Sequence, residues 1–169
     1  LPILAATVEE AVELAQPVVE KFPSMYEAYY FSEMREKLGL LSTEPQDEKL
    51  ILQLLEYMEQ YEADFTNTFR ALTDGHYPTN ALFQSKEFTQ WEKQWQMRLT
   101  DQGTTIDEAR KLMNTVNPVV IPRNHLVEQA INEFVDGEPT LFLQFLQAVT
   151  SPYTAADCKF TNPPTDDTP

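Results

Sequence analysis

Ser85-Lys86-Glu87-Phe88-Thr89-Gln90-Trp91-Glu92-Lys93-Gln94-Trp95-Gln96-Met97-Arg98-Leu99 carries large apolar groups at positions 88, 91, 95 and 99. Steps of three and four residues gather them on one face of an α-helix, whereas a strand would need alternation every second residue. Ser85 stands where a hydroxyl accepts from the free amides of a first turn. The same signature recurs in both directions. Thr7 with Glu10, Ser24 with Glu27 and Thr105 with Glu108 each match the capping box. The spacing predicts a first helix from Thr7 burying Val8, Ala11, Ala15 and Val18 or Val19, kinked or restarted at Pro17. A second would start at Ser24, bury Tyr26, Tyr30 and Met34, and end at Leu38-Gly39. A third runs from about Asp47 to Tyr61 with Leu50, Leu54, Leu55, Met58 and Tyr61 inward. Asp64 caps a short fourth in which Phe65, Phe69 and Leu72 share a face.

Beyond the opening stretch, a sixth helix starts at Thr105 and stops at Asn117-Pro118, because the residue before a proline avoids helical backbone. Asn124 is the expected cap of a seventh, burying Val127, Ala130, Ile131 and Phe134 before Gly137. Pro139 suits the first turn of an eighth, with Leu141, Phe142, Phe145, Leu146 and Val149 apolar. The only strand candidate, Val119-Val120-Ile121, is bracketed by Pro118 and Pro122, which lack the amide a ladder needs. The expected fold is all-α: a bundle of about eight helices over residues 1–151, followed by an irregular, proline-rich tail over 152–169. The start at Leu1 and the polar close at Pro169 read as cut ends of a longer chain.

With 169 residues, the chain can bury roughly 70% of its unfolded surface without disulfides. Twelve Lys+Arg against 27 Asp+Glu give a formal net charge of -15, a field that repels phosphate backbones and anionic lipid. Nucleic acid and membrane are therefore not expected partners. A hydrophobic fraction of 42% is too rich for a disordered acidic tail. One cysteine excludes an internal disulfide framework.

Reactive constellations are scarce. Neither G-x-G-x-x-G nor G-x-x-x-x-G-K-[ST] occurs among the four glycines, so no phosphate-cradling loop is present. His125 and Glu128 reverse the Glu-x-x-His order of di-iron bundles, and the simpler reading is a surface or capping histidine. His76 lies in the turn Asp74-Gly75-His76-Tyr77-Pro78. Cys158 has no neighbouring histidine to activate it. Trp91 and Trp95 read as core rather than as a base-stacking platform. No catalytic, cofactor-binding or metal-binding residue is assigned within the chain.

Three segments look over-specified for helix packing alone: 34–40, 63–72 and 113–125, which hold Arg70, Arg123 and Asn124. One account is a buried polar knot in which arginine and asparagine hold loop groups. The other is a docking face toward a further domain. Such a face would show an apolar patch at Gly75-His76-Tyr77-Pro78 with Leu82-Phe83, or at Val119-Val120-Ile121-Pro122.

Lys37-Leu38-Gly39-Leu40, Asp64-Phe65-Thr66-Asn67-Thr68-Phe69-Arg70-Ala71-Leu72 and Asn117-Pro118-Val119-Val120-Ile121-Pro122-Arg123-Asn124-His125, in this order and at these separations, resemble the C-terminal region of the selenoprotein O family. The similarity runs from about Ser24 to Tyr153. It implies a larger protein with a kinase-like, pseudokinase fold that binds ATP with magnesium and transfers AMP to Ser, Thr or Tyr hydroxyls of proteins. The resemblance places that chemistry in a kinase-like portion N-terminal to this chain, whose nucleotide lysine, metal-binding Asp and Asn and Gly-rich loop have no counterparts here. Family members often end in a redox-active cysteine or selenocysteine after a proline segment. Cys158 precedes Asn162-Pro163-Pro164 and is not equated with it.

The expectation is thus a structural and regulatory C-terminal domain of a protein adenylyltransferase, inactive alone, with no cofactor of its own. Its partners would be its own N-terminal kinase-like domain and, for the whole protein, ATP, magnesium and protein substrates. The location would be cytoplasmic in a bacterium or mitochondrial in a eukaryote. The alternative is a stand-alone helical protein-interaction module without catalysis.

Overall fold

Thr7 accepts the Glu10 amide at 3.2 Å and starts helix α1, Val8–Lys37. The computed structural model describes residues 3–154 and 158–164. By its internal contacts the chain divides into two compact units, Leu1–Met34 and Arg35–Pro169. No new helix starts at Pro17 or at Ser24. Pro17 and Pro23 lie inside one helix of 30 residues, and the Ser24 hydroxyl donates to the Lys21 carbonyl at 3.0 Å instead of capping. Each proline removes one amide donor, but its fixed φ is already helical, and the remaining rungs carry the helix through.

In the first unit Ala11 is fully buried and Ala15 half-buried, as the spacing suggests. Val8, Val18, Val19 and Tyr26, expected inside, are exposed. The periodicity located the apolar stripe but could not say what covers it.

The second unit begins with the last turn of α1 and continues with α2 (Asp47–Gln60), α3 (Phe65–Asp74), α4 (Ala81–Gln84), α5 (Lys86–Asp101), α6 (Ile106–Val116), α7 (Asn124–Val135) and α8 (Thr140–Thr150). Among the described residues there are eight α-helices, one 3-10 turn at Cys158–Phe160, and no strand. The number matches because two expected helices merge into α1 while α4, capped by Asn80 on the Phe83 amide at 3.0 Å, was not foreseen. Asp64, Ser85 and Thr105 cap α3, α5 and α6 as expected, and Thr105 and Glu108 complete the reciprocal capping box.

The core of this unit sits where α5 packs on α2, α4 and α6, while α3 packs on α6. Phe88, Trp91, Trp95 and Leu99 of α5 and Leu50, Ile51, Leu54 and Met58 of α2 are all buried where these two helices pack. Trp91 and Trp95 stack at 5.8 Å, and their indole N–H groups donate to the Leu50 and Leu38 carbonyls at 2.7 and 2.8 Å. Gly39 ends α1 with φ +70, and a Cβ there would stand 2.7 Å from the Ala109 Cβ. Only glycine permits both the turn and the close passage of α6.

A second cluster joins α7 and α8. Val120, Leu126, Ala130, Phe145 and Phe160 are buried together. The Val119 and Val120 amides donate to the Pro152 carbonyl, at 2.6 and 3.3 Å, which holds this extended link in place.

Candidate functional site

The three segments singled out in the sequence meet in one polar junction, built around Asn117. This residue caps the C-terminus of α6 and is buried, 1% exposed. Its Nδ2 donates to the Lys37 carbonyl at 2.9 Å and to Thr73 Oγ1 at 3.0 Å. Its Oδ1 accepts from Lys37 Nζ at 3.4 Å, and its carbonyl accepts from Arg70 Nη1 at 3.1 Å. The Thr73 hydroxyl in turn donates a hydrogen bond to the Phe69 carbonyl at 2.7 Å. One side chain thus ties the end of α1, the body of α3 and the exit of α6.

Arg70 also donates to Asn114 Oδ1 at 3.1 Å and pairs with Asp74. The Lys37 ammonium lies 5.8 and 5.6 Å from the ring centres of Phe65 and Phe69, where a ring face attracts a cation.

Asp64 links the junction to α7. One carboxylate caps the Asn67 amide at 2.8 Å and accepts a two-pronged contact from Arg123 Nη1 and Nη2 at 2.8 and 2.9 Å. Burial works to raise its pKa, but the Arg123 hydrogen bonds, the Asn67 amide and the Arg123 charge together hold it below the ordinary aspartate value. Asn67 Nδ2 reaches the Thr161 carbonyl at 3.2 Å and so fixes part of the C-terminal segment.

Asn124 is not the cap of α7. Arg123 takes that position in extended backbone, and its carbonyl accepts the Leu126 and Val127 amides, both at 3.0 Å. Asn124 is already helical and makes no capping bond, because the helix begins one residue earlier than the expected cap requires.

The docking patch expected at the two loop segments is absent. Val120 is 1% exposed, and Tyr77, Phe83 and Ile121 are half-buried. Tyr77 stacks on Phe83 at 5.0 Å, both rings meet Phe88, and Tyr77 donates to Glu92 at 2.6 Å. Burial, then the Glu92 carboxylate, push the Tyr77 phenol well above its ordinary range. The aromatic groups of this loop had partners on α5 that spacing along the loop alone could not reveal.

Sequence reasoning missed a second polar centre. Arg98 and Asp47 form a buried ion pair, Nε to Oδ1 at 2.7 Å, with 3% and 0% of the side chains exposed. Arg98 also donates to the Ser42 carbonyl at 2.9 Å and to Gln102 at 3.1 Å, while Gln102 Nε2 donates to the Gly39 carbonyl at 3.0 Å. Asp47 accepts the Glu44 amide at 2.9 Å. A signal existed: position 98 lies three residues beyond Trp95, on the buried face of α5.

Both centres hold backbone in place rather than expose reactive groups. His76 Nδ1 lies 3.0 Å from the Asp74 carbonyl. Among the described residues no three His, Cys, Asp or Glu side chains group together, and His125 and Glu128 gain no third ligand. The Cys158 side chain lies outside the described residues.

A sequence profile described as protein adenylyltransferase SelO matches residues 3–150, which takes in all eight helices. The chain belongs to the SelO family. Among curated relatives, the protein nucleotidyltransferase YdiU of Bacillus mycoides (strain KBAB4) is 47% identical over 154 residues. Proteins of the same name from Geobacillus kaustophilus (strain HTA426) and Bacillus cereus (strain AH820) are each 45% identical. These alignments cover 90%, 90% and 92% of the chain. The chain spans only 32% of the length of each of these SelO-family relatives. No helix among the described residues is long and apolar enough to cross a membrane.

Proposed function

We propose that this chain is the helical C-terminal domain of a protein adenylyltransferase that transfers AMP from ATP to Ser, Thr or Tyr hydroxyls of proteins. One observation carries the reading: a SelO-family match over 3–150 in a chain about a third as long as its nucleotidyltransferase relatives. The residues present do not fit ATP or magnesium. There is no glycine-rich loop, and Lys37, Arg70, Arg98 and Arg123 are engaged with carbonyls and carboxylates of the chain itself. The nucleotide, the metal and the kinase-like fold therefore belong, in this reading, to polypeptide N-terminal to this chain. The domain's role is to brace that catalytic portion and shape the access of protein substrates. Bacterial relatives favour a cytoplasmic location.

The test is AMP transfer from labelled ATP with magnesium, by the full-length protein and by this chain alone. The full-length protein should label protein hydroxyls, and the chain alone should neither label nor bind ATP by calorimetry. Transfer by the chain alone, or none by the full-length protein, overturns the reading. The exposed apolar groups of α1 also suit the alternative of a stand-alone interaction module, which requires a cellular protein that ends at these residues.

A further inference from the structure

The second apolar cluster is drawn from one end of the chain. Val120, Leu126, Ala130, Phe145 and Phe160 form its centre, and the apolar groups packed around them lie between positions 119 and 149. Among the described residues, none of α2 to α6 joins it. The extensive helix contacts of α7 and α8 are likewise with each other. This pair of helices is also closed at its base, where the Val119 and Val120 amides before α7 meet the Pro152 carbonyl after α8. A stretch with its own core and its own neck can move without unfolding the rest.

What ties this element to α3 is polar and loosely packed. The Arg123 guanidinium, with 7% of its side chain exposed, grips the Asp64 cap, and the Thr161 carbonyl accepts from Asn67 Nδ2. Both contacts fall at the start of α3. The first leaves Arg123 Nε buried with no acceptor among the described residues, so the cost of drying the guanidinium is only partly recovered. A cleft of about 330 Å³ lies alongside, lined by Val119 and Thr161 from this element and by Asn67, Ala71 and Pro78 from the α3 side. A close-packed contact would leave no such gap.

We infer that α7, α8 and their neck form a hinged element, latched to the start of α3 by Arg123–Asp64 and Asn67–Thr161, which opens while the core of α2, α5 and α6 stays folded. The hinge falls between Asn117, held by Lys37 and Thr73, and Val119, held in the neck. Opening carries Arg123 away from Asp64 and bares the first turn of α3. The inference does not rest on AMP transfer.

Native-state hydrogen exchange of the full-length protein in low concentrations of urea tests this. Amides of α7 and α8 should be at least about tenfold less protected than the buried amides of α2 and α5. Their urea dependence should also be weaker, since a partial opening exposes less surface. One common protection and one common urea slope for all four helices overturns the inference. Two variants separate the latch from general destabilisation. Asp64→Asn keeps the cap but weakens the Arg123 contact, so protection of α7 and α8 should fall about tenfold. Leu54→Ala, in the buried face of α2, should lower protection of α2 and α5 and leave α7 and α8 unchanged, because open and closed forms both keep that core. No loss in α7 and α8 with Asp64→Asn, or an equal loss in all four helices with Leu54→Ala, overturns the inference as well.

Discussion

Removing one partner of the Arg98–Asp47 pair leaves the other buried without its counter-charge, which is far costlier than never having had the pair. Asp47→Ala should lower stability by about 3 kcal/mol. The double variant Asp47→Leu with Arg98→Met should recover part of that loss. Urea titration followed by the fluorescence of Trp91 and Trp95 reads both, since Trp95 and Arg98 lie on the same buried face. Asp64 offers a second test, because it caps α3 and pairs with Arg123 at once. Its folded pKa is held below the unfolded value, so its contribution is complete above the ordinary aspartate range and is lost as pH falls through the depressed folded value. Asn caps as well as Asp. Asp64→Asn should therefore keep the cap, lower stability at neutral pH, and flatten the acid limb of a stability-against-pH curve. An unchanged acid limb would mean the pair contributes nothing. Asp64 was legible as a cap because the signal is local, whereas its partner stands 59 residues away and no local pattern names it.

Helix starts divide along the same line. Thr105 and Glu108 satisfy each other within four residues, and the structure reproduces that capping box. Asn124 shows that a capping residue type is only a candidate until the backbone chooses where the helix begins. Thr105→Ala should cost about 1 kcal/mol, while Asn124→Ala should be near neutral. Thermal melts of the two variants should differ accordingly, and equal losses would restore Asn124 as a cap. α1 was misread as two helices because proline and Ser24 are strong local punctuation. A proline in a long helix deletes a single rung, and no sequence rule says when the rest of the helix tolerates that. The face of α1 was readable, but its covering was not, since burial depends on whatever body lies against it.

Across the whole molecule, all-α character was plain from the repeated three-and-four spacing and the near absence of strand signals. The polar junction was legible only as three over-specified segments, because which atoms meet is decided by the path of the chain between them. Net charge acts at this scale too. With a formal charge of -15 the folded chain repels itself, and salt screens such surface repulsion more than it screens a buried pair. The melting temperature should rise as ionic strength goes from about 0.01 M to about 0.15 M. Asp47→Ala should leave that rise unchanged, since its pair is dry. A melting temperature that falls with salt would show that surface attraction outweighs the repulsion.

The tie between Lys37 and Asn117 also has a meaning in time. The two residues are 80 positions apart, and Asn117 donates to the Lys37 carbonyl only once both exist. At a translation speed of about 5–20 residues per second, Lys37 waits roughly 4–16 s on the ribosome before its asparagine is made. Until then the end of α1 lacks its clasp. The nascent chain must spend those seconds either unlatched or in the care of a chaperone.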